Sequence, residues 1–358
     1  MANAFVGSEI GALKVVNFLN DTFQNANHAE RLNTEKKIEC MCWRNDDQTS
    51  LLCCLANRQV KVYDCAKGTY ETLFTCEGGS GEINGVGLLN KDIVTCVTSG
   101  ELKVFSSDGV EKLCTMVGEN INRMRLNPKI PNMVATGGRE NDLKVRDLNN
   151  PQKPIFIAKN VPHDELNLRI PVWIRDLRFV DDNVVATCTA HYQIRGYDLR
   201  SGRRRPFVDI KFGDHPITAI ACWKDRHNYF SYLLPFVQLS NDGLCAGELG
   251  LFDLKTGRLV CTYKGFAGGI RCVECHETEP CVATCGLDRF VRLHHVQTRK
   301  MLNKIYCKSR LTSMLLSRTS ILTSPDDLLS VKSEPESDDD SDSSQEGRTN
   351  EHRKRMKA

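Results

Sequence analysis

The pattern that most restricts how this chain can fold is a short hairpin, clearest at residues 133–148, that returns along its length. There the sequence places small or apolar residues (Val134, Ala135, Thr136) before a Gly-rich polar turn at 137–142. An alternating strand follows, Leu143 and Val145 against Lys144 and Arg146, closed by Asp147. A side-chain period of two on both sides of a turn is the signature of a β-hairpin. Equivalent endings occur at Asn17, Asp64, Ser106, Asp198, Asp253 and His295, so successive endings lie 47, 42, 41, 51, 55 and 42 residues apart. That interval is the length of a four-stranded propeller blade. One hairpin cannot bury both of its faces, so the copies must pack on one another.

A second recurring element opens each unit, at 38–43, 83–88, 121–126, 173–179, 217–222, 270–275 and 311–316. The chain starts with an ending that has no opening and stops after an opening that has no ending. Pairing the last strand, 311–316, with the N-terminal hairpin removes both free edges. The expected fold is therefore all-β, a seven-bladed β-propeller over residues 1–317. Residues 318–358 are rich in Ser, Asp, Glu and Pro, with an acidic serine run at 333–342 and a basic end around Arg353, Lys354 and Arg355. Such composition cannot offset the entropy of ordering by burial, so a disordered acidic and basic tail is expected. The basic end is compatible with nuclear import or nucleic-acid contact.

The 17 cysteines would suggest disulfides in a small secreted domain, but no signal peptide or long apolar run accompanies them. Several, among them Cys40, Cys53, Cys96, Cys188 and Cys285, stand where other copies carry Val, Ala or Gly. They read as reduced core residues of a cytosolic or nuclear protein.

Residues 224–247 interrupt the repeat. The small-residue strand is missing and Tyr229, Phe230, Tyr232, Leu233, Leu234, Pro235 and Phe236 stand in its place. A surface insertion and a gene-model error both fit. With Pro235 inside the run, 226–239 is not expected to form a regular inner strand.

Cys272, Cys275 and His276 match a haem-attachment spacing, and Cys281 and Cys285 suggest zinc. However, Cys272 and Cys275 fall in one strand, three apart and so on opposite faces, which favours buried thiols; no metal or other cofactor is expected. His163 with Asp164 and Glu165, or His294 with His295, lack a phosphate loop or nucleophile motif, so no enzyme is expected. The stronger lead is charge. The formal net charge is only +3, yet residues 121–211 hold 17 Lys or Arg against 10 Asp or Glu. Arg139, Lys144, Lys159, Arg169, Arg175, Arg178, Arg203, Arg204 and Arg205, with Asn160 in the long connection after Asp147, are the candidates for binding a partner or RNA. Their charges suit phosphates, and the absence of interleaved aromatics argues against base-specific reading. The bland alternative is a solvated face paired with Asp164, Asp176 and Asp198.

With these features in view, the chain resembles a WD-repeat propeller, and within that class a nucleolar family of large ribosomal subunit assembly. The resemblance is carried by Ala135, Thr136, Gly137, Gly138, Arg139, Glu140 and Asn141 with Leu143, Lys144 and Val145. Lys159, Asn160 and Val161 add to it, as do Leu168 to Trp173, Arg204, Arg205 and Pro206, and Cys285 to Arg289 with Val291 and Arg292. Two features depart from the pattern: Arg146, Tyr63 and Tyr197 replace the name-giving Trp, and no Gly-His pair opens a blade. The resemblance implies a non-enzymatic scaffold of the nucleus and nucleolus that docks on pre-60S particles during ribosome biogenesis and rRNA processing. It further implies pre-ribosomal particle proteins as partners, release by an AAA ATPase, contact with a nuclear exosome-associated helicase, and ribosomal RNA touched through its backbone; no membrane is involved. The alternative is a generic WD-repeat adaptor in another nuclear complex, a ubiquitin ligase or chromatin assembly.

Overall fold

The computed structural model describes residues 2–27, 32–213, 215–224, 232–238 and 247–322, with 224 and 232–238 as backbone only. Its strands are antiparallel and form a β-propeller; one short 3-10 turn, Thr34–Lys36, is the only helical element among the described residues. In the blade that carries the template hairpin, Ile121–Leu126, Met133–Gly138, Asn141–Asp147 and Asn150–Ile157 are hydrogen-bonded in that order. Leu143 and Val145 are fully buried while Lys144 between them is half-buried, as a period-two strand requires. The turn needs glycine for a steric reason. A Cβ on Gly138 would lie 1.8 Å from the Asn120 carbonyl oxygen.

Six sheets have this regular four-stranded form, one short of the repeat's expectation. The difference lies in the sheet built from Ile217–Ile220, Tyr232–Gln238, Glu248–Asp253 and Arg258–Tyr263, with the short Trp223–Lys224 added beside Tyr232–Gln238. Contrary to the sequence-based expectation, Tyr232–Gln238 is a strand, paired with Glu248–Asp253 from Leu233 to Gln238, Pro235 opposite Leu251 included. The interruption falls on its other neighbour: pairing runs to Ile220 opposite Phe236 and resumes at Trp223 opposite Leu233. Proline has no N–H to donate, so it is tolerated where the facing ladder is broken. The rest of the anomalous stretch, 225–231 and 239–246, lies outside the described residues.

The blades bury their faces against each other. One core cluster joins Leu143, Val145 and Phe156 of one blade to Leu177, Val185 and Tyr197 of the next, and another joins Leu52 and Val60 to Ile83 and Ile93. The opening strands are consecutive neighbours, and Leu311–Leu316 lies beside both Ile270–Cys275 and Ile38–Trp43. Leu311–Leu316 also pairs with Ala4–Ser8, which continues into Leu13–Asn17 and Thr22–Asn25. One blade is thus assembled from both ends of the described chain. The 16 described cysteines are free thiols, and Cys40, Cys53, Cys96, Cys188 and Cys285 are buried.

The compact unit extends to Ile321, beyond the boundary at 317 expected from composition. Arg318 pairs with Glu277 and donates to the Asp46 carbonyl at 2.9 Å. Ser320 donates to Glu279 at 2.6 Å, and Ile321 is 4% exposed. Sequence composition could not show this, because four residues that dock look like the start of the polar segment.

Every opening strand carries a β-bulge at its second residue. The ladder shifts between Ile38 and Cys40, Ile83 and Gly85, Ile121 and Arg123, Ile174 and Asp176, Ile217 and Ala219, and Ile270 and Cys272, and at Gly7/Ser8 opposite Leu311–Leu316. The extra residues are Glu39, Asn84, Asn122, Arg175, Thr218, Arg271 and Thr312, and all of them line one central cavity of ≈ 250 Å³. A bulge re-aims one side chain without ending the strand, which here gives a ring of inward groups.

Three truncations separate these contributions. Ending the chain after Asn303 removes the closing strand and should give aggregated protein in size-exclusion chromatography. Ending it after Leu322 should leave the melting curve of the full chain unchanged. Ending it after Ser317 should cost about 1.5–3 kcal/mol in denaturant unfolding, the value of burying one Ile side chain. Equal stability of the last two would show that the 318–321 contacts contribute nothing.

Candidate binding site on the loops of one face

In each blade the start of the opening strand pairs with the end of the second strand, as Ile174 does with Thr189. The connections that precede the openings and the turns between second and third strands therefore share one face. The long connection 158–173 and the turn at Arg139 and Glu140 lie there together. Glu140 N donates to the Val172 carbonyl at 2.8 Å, and its carboxylate accepts from Val172 N at 3.2 Å and from Arg169 Nη1 at 2.5 Å. These contacts hold the Glu140 carboxyl below its ordinary range, the Arg169 hydrogen bond contributing most.

The long connection is shaped by its own polar residues. Asp164 Oδ1 accepts from Leu166 N at 3.0 Å and Leu168 N at 2.7 Å, and Asn167 takes a positive φ of 60° within that turn. The turn pushes Leu166 and Leu168 outward, 79% and 58% exposed. Asn160 is turned inward. Its Nδ2 donates to the Ile170 carbonyl at 2.6 Å, and its Oδ1 accepts from Arg195 Nη1 at 3.1 Å. Arg195 itself is 1% exposed and also meets Asp209 at 3.2 Å.

The triple arginine joins this site from the next blade. It lies between Gln193–Asp198 and Val208–Lys211, yet the segment folds back so that Lys159 N donates to the Arg204 carbonyl at 2.8 Å. Arg204 Nε donates to the Ile157 carbonyl at 2.8 Å, on the outer strand of the preceding blade. A depression of ≈ 500 Å³ is lined by Lys159, Asn160, His163, Asp164, Arg169 and Arg205, and an adjoining one by Lys159 and Arg203 to Arg205. Among the described residues Lys159, Arg203, Arg204 and Arg205 are exposed without a carboxylate partner.

The other candidates are placed differently. Arg139 and Arg175 lie over the Trp173 ring, 5.0 and 5.5 Å from its centroid, and carry positive charge from the loops to the central cavity. Lys144 is half-buried and reaches the Val117 carbonyl at 3.4 Å. Arg178 pairs with Glu274 and donates its Nε proton to the Ile220 carbonyl at 3.2 Å. Burial works against its charge, but Glu274 and Asp176 outweigh it and raise its affinity for the proton. Of the acids named for the bland reading, Asp176 pairs with Arg123 at 3.0 Å and Asp198 with Arg200 at 3.6 Å, and neither meets the triple arginine. Leu166 and Leu168 carry no sequence signal as binding residues beyond two leucines within a polar loop, and Arg195 looks like an outward strand residue.

The site therefore presents positive charge beside exposed leucines, a combination that can dock an acidic or phosphate-bearing partner. Comparison with known proteins adds to this. The WD domain, G-beta repeat (WD40) profile matches residues 257–295, the outer strand of one blade with the three inner strands of the next. The chain is 36% identical to WD repeat-containing protein 74 of Bos taurus over 88% of its own length and 81% of that protein's. The Homo sapiens protein of the same name gives the same identity and coverage. The ribosome biogenesis protein NSA1 of Meyerozyma guilliermondii is 27% identical over 74% of this chain and 75% of that protein.

The inward role of Asn160 can be measured. Asn160→Ala leaves a buried guanidinium short of an acceptor and should lower unfolding free energy by about 1–3 kcal/mol. Asn160→Asp, which keeps the acceptor, should lose less. A fully stable Asn160→Ala would mark Asn160 as a surface group.

Proposed function

The chain belongs to the WD repeat-containing protein 74 family, and on that premise we propose that it is a non-enzymatic scaffold of ribosome biogenesis, working on large-subunit (pre-60S) precursors in the nucleus and nucleolus. The observation that carries the placement on a surface is the convergence of Lys159, Arg169, Arg203, Arg204 and Arg205 on one set of loops. Relatives across most of the chain's length bear the names of ribosome biogenesis proteins, which supports the process. In this reading the exposed Leu166 and Leu168 meet a pre-ribosomal protein, while the basic side chains meet acidic residues or the ribosomal RNA backbone.

The proposal extends to the finer points of the family resemblance: removal from the precursor by an AAA ATPase, and contact with an exosome-associated helicase during rRNA processing. It also treats the sheet spanning 217–263 as a full blade, which makes the ring seven-bladed over residues 1–321, with a tail from 322 onward.

Arg203→Glu, Arg204→Glu and Arg205→Glu combined should reduce co-sedimentation with pre-60S particles at least severalfold. The melting temperature should stay within a degree or two, since exposed charges change stability little. Salt release should become shallower, because fewer phosphate contacts release fewer counterions. Unchanged co-sedimentation and salt dependence would remove the triple arginine from the interface.

A further inference from the structure

The central cavity is a second charged site, separate from the depression between Lys159 and Arg205 and independent of the proposed function. Its wall is divided. On one side Lys37 lies 2.6 Å from Glu39 and 3.8 Å from Glu82, and Arg310 lies 3.6 Å from Glu9, so the carboxylates there outnumber the cations. On the other side the bulges of two opening strands present Arg175 and Arg271, with Thr218 of the intervening strand between them. Neither arginine has a carboxylate partner among the described residues. Thr218 donates its hydroxyl proton to the Ile270 carbonyl at 2.7 Å.

The two guanidiniums act on each other. Burial, and then the charge of Arg271, hold the Arg175 guanidinium below its ordinary value. Two like charges held over one recess, on rigid strands and without a carboxylate partner among the described residues, are a seat for an oxyanion: its arrival removes a repulsion as well as forming an attraction.

We propose that the Arg175 and Arg271 side of the central cavity binds a single carboxylate, the Asp or Glu side chain of a partner protein inserted at the channel mouth. The cavity of ≈ 250 Å³ has room for one such side chain. Charge decides between a protein and a nucleic acid. A strand of RNA brings further phosphates on both sides of the first, and Glu9, Glu39 and Glu82 on the opposite wall repel them. A lone acidic side chain meets the arginines without that cost.

The test uses the full chain, immobilised and panned against phage-displayed random heptapeptides, followed by fluorescence anisotropy of the enriched peptide. The expected result is enrichment of one Asp or Glu at a fixed position. Binding of that peptide should weaken tenfold or more in Arg271→Gln and in Arg175→Gln, each with a melting curve checked against the parent. Arg271→Glu should lose the acidic preference, and the combined Arg203→Gln, Arg204→Gln, Arg205→Gln variant should bind as the parent does. Peptides without an acidic position, equal binding by Arg271→Gln, or displacement of the peptide by oligouridylate at matched ionic strength would each overturn the assignment.

Discussion

The pairing of Ala4–Ser8 with Leu311–Leu316 is the contact on which the remaining structure depends. A propeller has no central core; its apolar residues are buried between consecutive blades, so each blade protects two neighbours. With the ring open, two sheets would each present an unprotected face and an unpaired edge. The closing strand also ties laterally into the next blade. Thr312 donates its hydroxyl proton to the Ile38 carbonyl at 2.6 Å, and Trp43 Nε1 donates to the Leu316 carbonyl at 3.2 Å. Leu311 and Met314 are buried at the junction, each worth about 1.5–3 kcal/mol by its transfer from water. The rigidity that follows is what allows short loops to hold charged side chains in fixed positions.

Much of this was legible in the sequence because period-two strands and glycine turns are local signals. The third strands end at Asn17, Asp64, Asp147, Asp198, Asp253 and His295, where the hairpin pattern placed them. The failures are non-local. Pro235 suggests a break in its own strand, but a proline removes a donor only toward one neighbour, and the break appears in the facing strand at 221–222. The bulges were invisible because their residues share only a position and polarity: Glu39, Asn84, Arg175 and Thr312 differ in charge, size and hydrogen-bonding groups, and a polar residue is ordinary in a period-two strand. The docking of Ile321 depends on Glu279, 42 positions away in sequence.

The charge surplus shows the same limit in energetic form. Counted along the chain, every Lys and Arg of residues 121–211 is equal. Folding divides them. Arg123, Arg125 and Arg178 surround the buried Asp176, whose carboxyl stays below its ordinary value because these guanidiniums outweigh the burial that opposes ionisation. Arg195 is enclosed by Asp209 and Asn160. Removing one partner of such a group is costly, since a charge is left without compensation in the interior. Lys159, Arg203, Arg204 and Arg205 are by contrast exposed without a carboxylate partner among the described residues.

The central claim is that those loops are the surface that meets the large-subunit precursor. Cross-linking mass spectrometry on precursor particles purified through this protein reads that surface directly, with ultraviolet irradiation for RNA and an arginine- and lysine-reactive reagent for protein. The account predicts cross-linked peptides concentrated at 159–169 and 203–205, on the face that also carries Arg139. Cross-links confined to the opposite face of the propeller, with 159–169 and 203–205 unmodified in the same particles, would contradict it.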